Sequence, residues 1–492
     1  MLFSNDTVER FADASRDFNP LHTSDVRARV TPFGRRVAHG ACGVLASCGL
    51  FTPPPGCFPS ALRVLFYQPP FLDLDYEPRI ISISPQRTMV KLMDGSSEVM
   101  EITFEFLPGT PVLLATLPGD PVAPRHTARA LSETDLAPGL AYEGCYSPCT
   151  SSYEALLREF GVVRQAWGDA LPIALMASSY LTGMEMPGER ALYFQLNAVF
   201  SNVSFELPTA FRLELTDRDR RGMVKSQFRF SSGDSVWSLG DMRALLLPPR
   251  AGIAPLAGPI PPEMADRFGG KVALIVGGSR GFGSCLALTL AAAGATVIVL
   301  YARSSEDAAQ LQAAAAALPG QILPRQCDAT DPAACCEVRQ EVLARHGRLD
   351  WLVCSGVPPL QNLRVETAAF ERIERFLMDG FALVLAPLSS FIDLLSQSSG
   401  SVLLISSSAV EDPPPVWPHY VALKCADEGL GRTTAAGYPK VSFCIARPTK
   451  LLTDLVNTPM GRANAENPCV AALRILSAAA TQLQPGQVYY VR

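Results

Sequence analysis

Short strand-like runs alternate with longer helical stretches along the C-terminal half of the chain. The runs are KVALIVG, ATVIVLY, LDWLVCSG, SVLLISS and VSFCIARP. Strands that alternate with helices in this way form a parallel sheet with helices on both faces. The pattern therefore predicts a doubly wound α/β domain.

The N-terminal half has a different pattern, in which a helical run of small and apolar residues precedes several strands. This order occurs twice, with GACGVLASCGL and LPIALMASSYLTG as the helical runs. The likeness between residues 45–56 and 176–188 indicates one α+β unit used twice, with residues 127–144 joining the copies. The stretch at 248–262 is rich in proline and lacks apolar periodicity, which predicts a stiff spacer.

These patterns predict a multidomain protein, as expected for a chain too long for one ordinary core. The predicted segments are a first α+β domain at 1–125, a second at 145–250, a linker at 251–264 and the α/β domain at 265–492.

Composition narrows the class of protein. The formal net charge is -5 and no basic stripe is present, which argues against nucleic acid as a partner. No stretch approaches a membrane span and no export signal is visible, so we expect a soluble, cytoplasmic protein. The 13 cysteines would stay reduced there, and their spacings match no zinc pattern, so no metal is expected.

A glycine-rich turn, VGGSRGFG, lies directly between the strand KVALIVG and the helix SCLALTLAAAG. Glycines in such a turn let the backbone approach a pyrophosphate, whose charge is met by the amides of the following helix. The turn predicts a dinucleotide site. Its candidate residues are Gly277, Ser279, Arg280, Gly281 and Gly283.

Further along the chain, HYVALK places Tyr420 and Lys424 on one face of a helix. An ammonium close to a phenol favours the ionised phenol, which suits a proton donor. Ser407, at the end of the strand-like run LLISSS, offers a hydroxyl that would bind a substrate carbonyl.

Taken in series, these residues resemble the short-chain dehydrogenase/reductase family, which has a Rossmann fold, over roughly residues 271–492. The resemblance implies that Ser407 polarises the substrate carbonyl and that Tyr420 donates its proton. It also implies that Lys424 tunes Tyr420 and holds the nicotinamide ribose, and that Asp328 lies near the adenine. The positions that depart from the family are Val276 for threonine, Cys354 and Ser355 for an asparagine pair, and Asp379 for a helix asparagine.

The choice of coenzyme follows from charge. The second strand ends in LYARSS, with Arg303 and no acid, and Arg280 lies inside the glycine turn. A 2′-phosphate needs cations, whereas NAD is usually bound by an acid at this point. We therefore expect NADPH rather than NADH, and the reductive direction.

In the N-terminal stretch FADASRDFNPLHTSD, Asp17 lies five residues before His22, with Asn19 and Pro20 between them. Pro20 fixes its own φ and disfavours helical Asn19, which predicts an ordered loop on which Asp17 and His22 converge. Gly40 begins the helix of VAHGACGVLA. A free amide there can stabilise a negative oxygen, and the missing side chain would let a thioester carbonyl approach.

These two stretches resemble the MaoC-like family of (R)-specific enoyl-thioester hydratases and dehydratases, which have the hot-dog fold, over roughly residues 1–109. The matching residues are Asp17, Asn19, Pro20, His22, Phe33, Gly34, His39 and Gly40. The resemblance implies Asp17 and His22 as the catalytic dyad and the Gly40 amide as oxyanion donor, with His39 as a structural support. The second unit shows no such motif, so we expect a non-catalytic hot-dog domain that shapes an acyl pocket.

The two chemistries are consecutive on one substrate class. The expected function is reduction of a β-ketoacyl thioester of CoA or acyl carrier protein, followed by dehydration to the trans-2-enoyl thioester, in fatty-acid-like or polyketide-like biosynthesis. One alternative is a hydratase with an NAD-dependent 3-hydroxyacyl-CoA dehydrogenase in β-oxidation. Another is a partly inactive binding or scaffold protein. Both resembled families usually associate, so a homo-oligomer is expected.

Overall fold

The computed structural model describes residues 1–117, 119–120 and 126–492. The chain divides into two compact units. The first comprises Met1–Pro249 together with Thr458–Met460, and the second comprises Arg250–Asn457 and Gly461–Arg492. The predicted end of the first α+β domain, residue 125, lies outside the described residues, and the predicted segment boundaries stay predictions.

Within the described residues, the first unit contains one antiparallel sheet of nine strands. Its strands are β1 (Cys57–Phe66), β2 (Glu77–Ser84), β3 (Arg87–Asp94), β4 (Ser97–Pro108), β5 (Ala141–Tyr146), β6 (Ala191–Phe200), β7 (Thr209–Arg218), β8 (Met223–Ser232) and β9 (Ser235–Leu246). Their order is β2-β3-β4-β1-β6-β9-β8-β7-β5. The halves meet at β1 and β6, where Val64 pairs with Leu196.

Two apolar helices lie at the centre of this sheet. The helices of the first unit are α1 (Asn5–Ser15), α2 (Pro20–Thr23), α3 (Asp25–Ala28), α4 (Gly40–Ser47), α5 (Thr150–Phe160), α6 (Arg164–Trp167) and α7 (Ala170–Tyr180). Residues of α4 and α7 are small or apolar on every face and almost all are buried. A helix that is apolar all round must be enclosed, so each half of the sheet wraps one helix, which is the double hot-dog architecture.

The second unit, in the part of the chain described, contains a parallel sheet in the order β12-β11-β10-β13-β14-β15-β16. The strands are β10 (Val272–Val276), β11 (Thr296–Tyr301), β12 (Gln321–Gln326), β13 (Trp351–Cys354), β14 (Ser401–Ile405), β15 (Ser442–Ala446) and β16 (Val488–Val491). The helices are α8 (Pro262–Phe268), α9 (Gly281–Ala292), α10 (Ser305–Ala314), α11 (Pro332–His346), α12 (Phe370–Ser398), α13 (Pro418–Gly437) and α15 (Pro468–Gln482), while the residues of the short α14 (Pro459–Arg462) are divided between the two units. Separate apolar cores lie on the two faces. This is the predicted doubly wound Rossmann fold.

A helical stretch at Thr367–Ser398 is long and apolar enough to cross a membrane by length and composition alone. The core helix of a soluble protein passes the same test, so the evidence for a span is weak. The expectation that no segment crosses a membrane stays a prediction.

Candidate active sites

The local fold around Asp17 follows from the caps of the flanking helices. Helix α1 ends at Ser15, and Arg16 adopts the left-handed conformation (φ 61°) that turns the chain away. Asn19 then caps α2 by accepting a hydrogen bond from the Leu21 amide at 3.0 Å. The expected loop is therefore a single helical turn, because Pro20 is well suited to the first position of a helix.

The second half of the hot-dog unit holds this segment in place. The side-chain amide of Asn19 donates to the backbone oxygens of Gly183 at 2.9 Å and Gly188 at 3.1 Å. The Ser179 hydroxyl donates to Oδ2 of Asp17 at 2.7 Å, and the backbone N–H of Asn19 donates to Oδ1 of Asp17 at 3.2 Å. Sequence reasoning did not find Ser179, because the repeat comparison at 176–188 placed it on the second helix without identifying its partner.

Gly183 is required by the same arrangement. A Cβ atom at this position would lie 2.3 Å from Oδ1 of Asp17 and 2.7 Å from Oδ2. The chain has no room there for a side chain, so the second half approaches the carboxylate through bare backbone.

His22 is oriented by a hydrogen bond between its Nδ1 and the Val37 carbonyl, at 2.8 Å. A carbonyl only accepts, so Nδ1 carries the proton and Nε2 keeps its lone pair in the neutral ring. The His39 ring lies against the His22 ring, with centroids 3.8 Å apart and planes inclined by 31°, and its Nε2 donates to the Asp17 carbonyl at 3.0 Å. His39 thus supports both members of the predicted dyad.

Asp17, His22 and His39 each offer a ligand atom, and these atoms lie within 4.8 Å of one another. By distance alone the group could hold a metal ion. The Nδ1 of His22 and the Nε2 of His39 are already engaged by the carbonyls of Val37 and Asp17. The geometry favours acid-base chemistry.

Residues of both halves line a cavity of about 60 Å³ at this point. Its wall includes Asp17, Asn19, His22, His39, Gly40, Phe66, Ser179, Thr182, Gly183 and Tyr193. The volume matches about two water molecules. The space beside Gly40 was expected to admit a thioester carbonyl, but it is occupied by Phe66: a Cβ on Gly40 would lie 2.7 Å from the Phe66 ring. The absent side chain makes room for Phe66, so a thioester oxygen must approach the Gly40 amide from the cavity side.

Burial sets the protonation states of the site. It raises the pKa of Asp17 from 3.8 to about 7, against the opposing effect of the hydrogen bonds from Ser179 and Asn19. Burial lowers the pKa of His22 to about 4, although the bond to Val37 acts in the opposite direction. Burial and the neighbouring His22 lower the pKa of His39 well below its usual value. Near pH 6, Asp17 is mostly protonated and His22 is neutral.

In the second unit, the glycine-rich turn has the geometry of a dinucleotide site. Gly277 (φ 72°) and Gly281 (φ 57°) adopt conformations that favour glycine. A Cβ on Gly283 would lie 2.2 Å from the Gly277 oxygen. Helix α9 begins at Gly281 without a side-chain cap, so its first amides are available to an anion. Buried Ser279 completes the turn. These residues fit a pyrophosphate.

A second cavity, of about 390 Å³, includes Arg303 and Asp328 in its wall. Hydrogen bonds from Thr330, together with Arg303, hold the pKa of Asp328 below its usual value. Arg280 behaves differently, because its Nη1 lies 3.5 Å from Oδ2 of Asp454. Arg303 is thus the more accessible of the two arginines that were expected to select the coenzyme.

The predicted proton-transfer residues lie after the carboxyl end of strand β14 and on helix α13. Ser407, just beyond β14, accepts a hydrogen bond from the Ala409 amide at 3.1 Å. Tyr420 and Lys424 lie one turn apart on α13, with the Lys424 Nζ 6.0 Å from the Tyr420 ring centroid. Lys424 is buried and donates to Asp427 Oδ2 at 3.3 Å. Sequence reasoning missed Asp427, although its position three residues after Lys424 on the same helix was a usable signal.

Two of the positions that depart from the family pattern, Asp379 and Cys354, have different surroundings. Asp379 is exposed on α12, and Lys424 donates its hydrogen bond to Asp427. Cys354 is buried at the end of β13. Burial is the main effect that raises the pKa of its thiol; Asp427 also raises it, and Lys424 lowers it. The place of the usual asparagine pair is therefore taken by a buried thiol beside a buried ion pair.

Together, the fold and the two sites define a protein that joins a double hot-dog unit to a nucleotide-binding Rossmann unit. Residues 2–69 match the family described as MaoC like domain, and residues 271–463 match the family described as short chain dehydrogenase. The chain is a fusion of a MaoC-like domain with a short chain dehydrogenase domain.

Individual relatives resemble part of the chain. A fatty acyl-CoA reductase of Acinetobacter baylyi is 31% identical over 195 residues, which cover 39% of this chain and 64% of that protein. A hydroxynaphthalene reductase of Aspergillus fumigatus is 34% identical over 170 residues, covering 34% and 61%. An L-rhamnose 1-dehydrogenase (NADP(+)) of Thermoplasma acidophilum is 26% identical over 192 residues, covering 38% and 75%.

This chain thus spans 64% and 61% of the length of the first two relatives, which is less than two thirds. Among solved structures, a short-chain dehydrogenase/reductase from Serratia marcescens aligns with a TM-score of 0.40 at 23% identity, over 46% of this chain and 97% of that one.

Proposed function

We propose that this protein reduces a β-ketoacyl thioester with NADPH and dehydrates the (3R)-hydroxyacyl product to the trans-2-enoyl thioester. The observation that carries the proposal is the meeting of Asp17, His22 and the first turn of α4 at one cavity. The name of the Acinetobacter relative, a fatty acyl-CoA reductase, supports an acyl thioester as substrate. A place in fatty-acid-like or polyketide-like biosynthesis is part of the proposal.

Dehydration follows from the protonation states. Neutral His22 takes the proton from C2 of the substrate through its Nε2. The electron pair of that bond moves towards the thioester carbonyl, and the Gly40 amide at the start of α4 stabilises the charge on the oxygen. Protonated Asp17 gives its proton to the C3 hydroxyl as the C3–O bond breaks, so water leaves and the C2–C3 double bond forms. His22 ends protonated and Asp17 ends ionised, and a proton returns between them through water.

Ketone reduction belongs to the second unit. A nicotinamide coenzyme, when bound, supplies the hydride. Gly277, Gly281, Gly283 and the first turn of α9 hold its pyrophosphate, and Arg303 favours a 2′-phosphate. Ser407 binds the substrate oxygen and Tyr420 donates its proton to it, while Lys424 places positive charge beside the Tyr420 ring. NADPH is proposed over NADH because the cavity wall at Arg303 offers a cation at the end of β11.

One observation favours a competitor. Lys424 is buried against Asp427, which neutralises part of the charge that would act on Tyr420. This contact favours an alternative function, in which the second unit binds the coenzyme but turns over little substrate.

The test supplies a short β-ketoacyl-CoA with NADPH and follows coenzyme absorbance, then supplies the hydroxyacyl-CoA alone and follows the enoyl band. We expect both reactions in the wild type. Tyr420→Phe is expected to lose coenzyme oxidation by at least a hundredfold while dehydration continues. Coenzyme binding without oxidation of NADPH in the wild type would support the competitor, and absence of dehydration would refute the assignment of Asp17 and His22.

A further inference from the structure

Tyr193 brings an unused hydrogen-bond donor to the cavity of Asp17 and His22. It lies on β6, in the half of the hot-dog unit without the Asp-x-Asn-Pro-x-His motif, and it lines the same cavity. Its hydroxyl oxygen is buried and, within the described part of the chain, has no hydrogen-bond partner. Buried phenol hydroxyls normally have a partner, so this one points to a group that the cavity receives.

The neighbouring hydroxyls are directed elsewhere. Ser178 donates to the Leu175 carbonyl at 2.8 Å, and Thr182 lies 3.5 Å from the Met242 sulfur. Burial raises the pKa of Tyr193, and the hydrogen-bonding effect of the nearby Ser178 and Thr182 hydroxyls opposes it. Within the described residues, neither hydroxyl forms a hydrogen bond of normal geometry with the Tyr193 hydroxyl. Tyr193 is therefore a neutral donor throughout the working pH range.

The position of the ring indicates which substrate atom receives this donor. Phe66 packs on Tyr193 with ring centroids 5.0 Å apart, and the same Phe66 ring fills the space beside Gly40. Tyr193 and the Gly40 amide thus flank one aromatic side chain. Asp17 and His22 are committed to the C3 hydroxyl and the C2 proton, which leaves the thioester oxygen for the two donors beside Phe66.

We propose that the Tyr193 hydroxyl donates a hydrogen bond to the thioester carbonyl oxygen of the substrate and shares with the Gly40 amide the charge that develops there. This inference rests on the proposed dehydratase function. It makes the second half of the hot-dog unit a contributor to catalysis, since that half supplies Tyr193 as a catalytic residue and Ser179 as a positioning residue for Asp17.

The experiment measures hydration of crotonyl-CoA, the reverse of the proposed dehydration, in Tyr193→Phe and in a matched control. Tyr142→Phe removes a hydroxyl from β5, where the Tyr142 ring contacts Arg129 outside the cavity. We expect kcat/KM to fall about 100–1,000-fold in Tyr193→Phe, as for loss of one oxyanion donor, and to stay within twofold in Tyr142→Phe. Full activity of Tyr193→Phe beside an active wild type would overturn the inference and leave the proposed function intact.

A spectroscopic readout separates a direct contact from a change in packing. Carbonyl-labelled crotonyl-CoA is bound to Asp17→Asn, which is expected to bind without turnover, and its infrared carbonyl band is compared with that in the double variant Asp17→Asn/Tyr193→Phe. A polarised carbonyl shifts to lower frequency, so the band is expected to move back up when the hydroxyl is removed. An unchanged band would contradict the contact. An inactive wild type that also fails to bind crotonyl-CoA would refute the proposed function instead.

Discussion

Asp17 is buried with two hydrogen bonds to its carboxylate, yet burial still raises its pKa to about 7. The folded state therefore holds a proton that the unfolded chain releases near pH 4. Stability contributed by this proton is present below pH 4 and is lost as pH rises through 7. A buried carboxyl of this kind is maintained at a cost in stability.

Asp17→Asn should remove the loss of stability that accompanies ionisation of Asp17 as the pH rises. The free energy of unfolding of the variant, relative to that of the wild type, is expected to rise by about 2–3 kcal/mol between pH 5 and pH 8. Thermal melts of the hot-dog transition at the two pH values measure this difference. Asp234→Asn, on the exposed turn between β8 and β9, is the control. A stabilisation of Asp17→Asn that is equal at pH 5 and pH 8 would contradict the protonated state assigned to Asp17.

Dehydration needs protonated Asp17 and neutral His22, so its rate should be highest between about pH 4 and pH 7 and fall above pH 7. Ser179 stabilises the Asp17 carboxylate. Ser179→Ala is therefore expected to raise the pKa of Asp17 and move the alkaline limb of the kcat/KM profile to higher pH.

The neighbouring hydroxyl provides the control for this profile. Ser178 donates to the Leu175 carbonyl, and among the described residues the hydroxyl that donates to the Asp17 carboxylate is that of Ser179, so Ser178→Ala should leave the alkaline limb in place. A shift of the limb to lower pH in Ser179→Ala would mean that the hydroxyl does not stabilise the carboxylate.

Among single residues, those that belong to a short contiguous motif could be predicted from the sequence. Asp17, His22 and Gly40 belong to two contiguous stretches, and all three line one cavity. Ser179 and Tyr193 reach the same cavity from the other half of the unit. Their roles depend on which strands and helices are neighbours in space, and a serine or tyrosine on an apolar helix or strand carries no local signal of that neighbour.

Among the elements, the turn after α7 is held close to Asp17 by its glycine. Gly183→Ala would place a methyl group 2.3 Å from the Asp17 carboxylate. We expect dehydration to fall at least a hundredfold while NADPH oxidation continues. Gly429→Ala, on α13 with open space at its Cβ position, is the control and should change neither reaction. Normal dehydration by Gly183→Ala would refute the close packing of this turn on Asp17.

The glycine turn of the second unit provides the complementary prediction. In Gly283→Ala, a methyl group would meet the Gly277 oxygen at 2.2 Å and force the turn open. NADPH affinity, measured by fluorescence titration, is expected to fall more than tenfold, with dehydration unchanged. Unaltered NADPH affinity would show that this turn does not hold the coenzyme.

Long periodic elements could be predicted from the sequence, whereas short edge strands could not. The buried strands β10, β11 and β13 to β15 correspond to the runs first recognised by their apolar residues. The edge strands β12 (QILPRQ) and β16 (VYYV) are short or partly polar, because an edge strand has one free side. Strand β5 was also not predicted, because most of it lies in residues 127–144, which were expected only to join the two halves.

For the whole molecule, the fusion of the two folds could be predicted, because each fold carries its own motif and its own pattern of strands. The contribution of the second hot-dog half to the site could be predicted only as the shaping of an acyl pocket. A half without Asp-x-Asn-Pro-x-His looks inert in sequence, yet in space it supplies the Ser179 hydroxyl to Asp17 and bare backbone at Gly183.

The central claim is that one chain performs both reactions in succession. Its most direct test is mass spectrometry of the thioester formed from a short β-ketoacyl-CoA and NADPH by the wild type and by Asp17→Asn. The account predicts the enoyl thioester from the wild type and accumulation of the hydroxyacyl thioester in Asp17→Asn, with equal NADPH consumption. Enoyl product from Asp17→Asn at the wild-type rate, or no reduced product from the wild type, would contradict it.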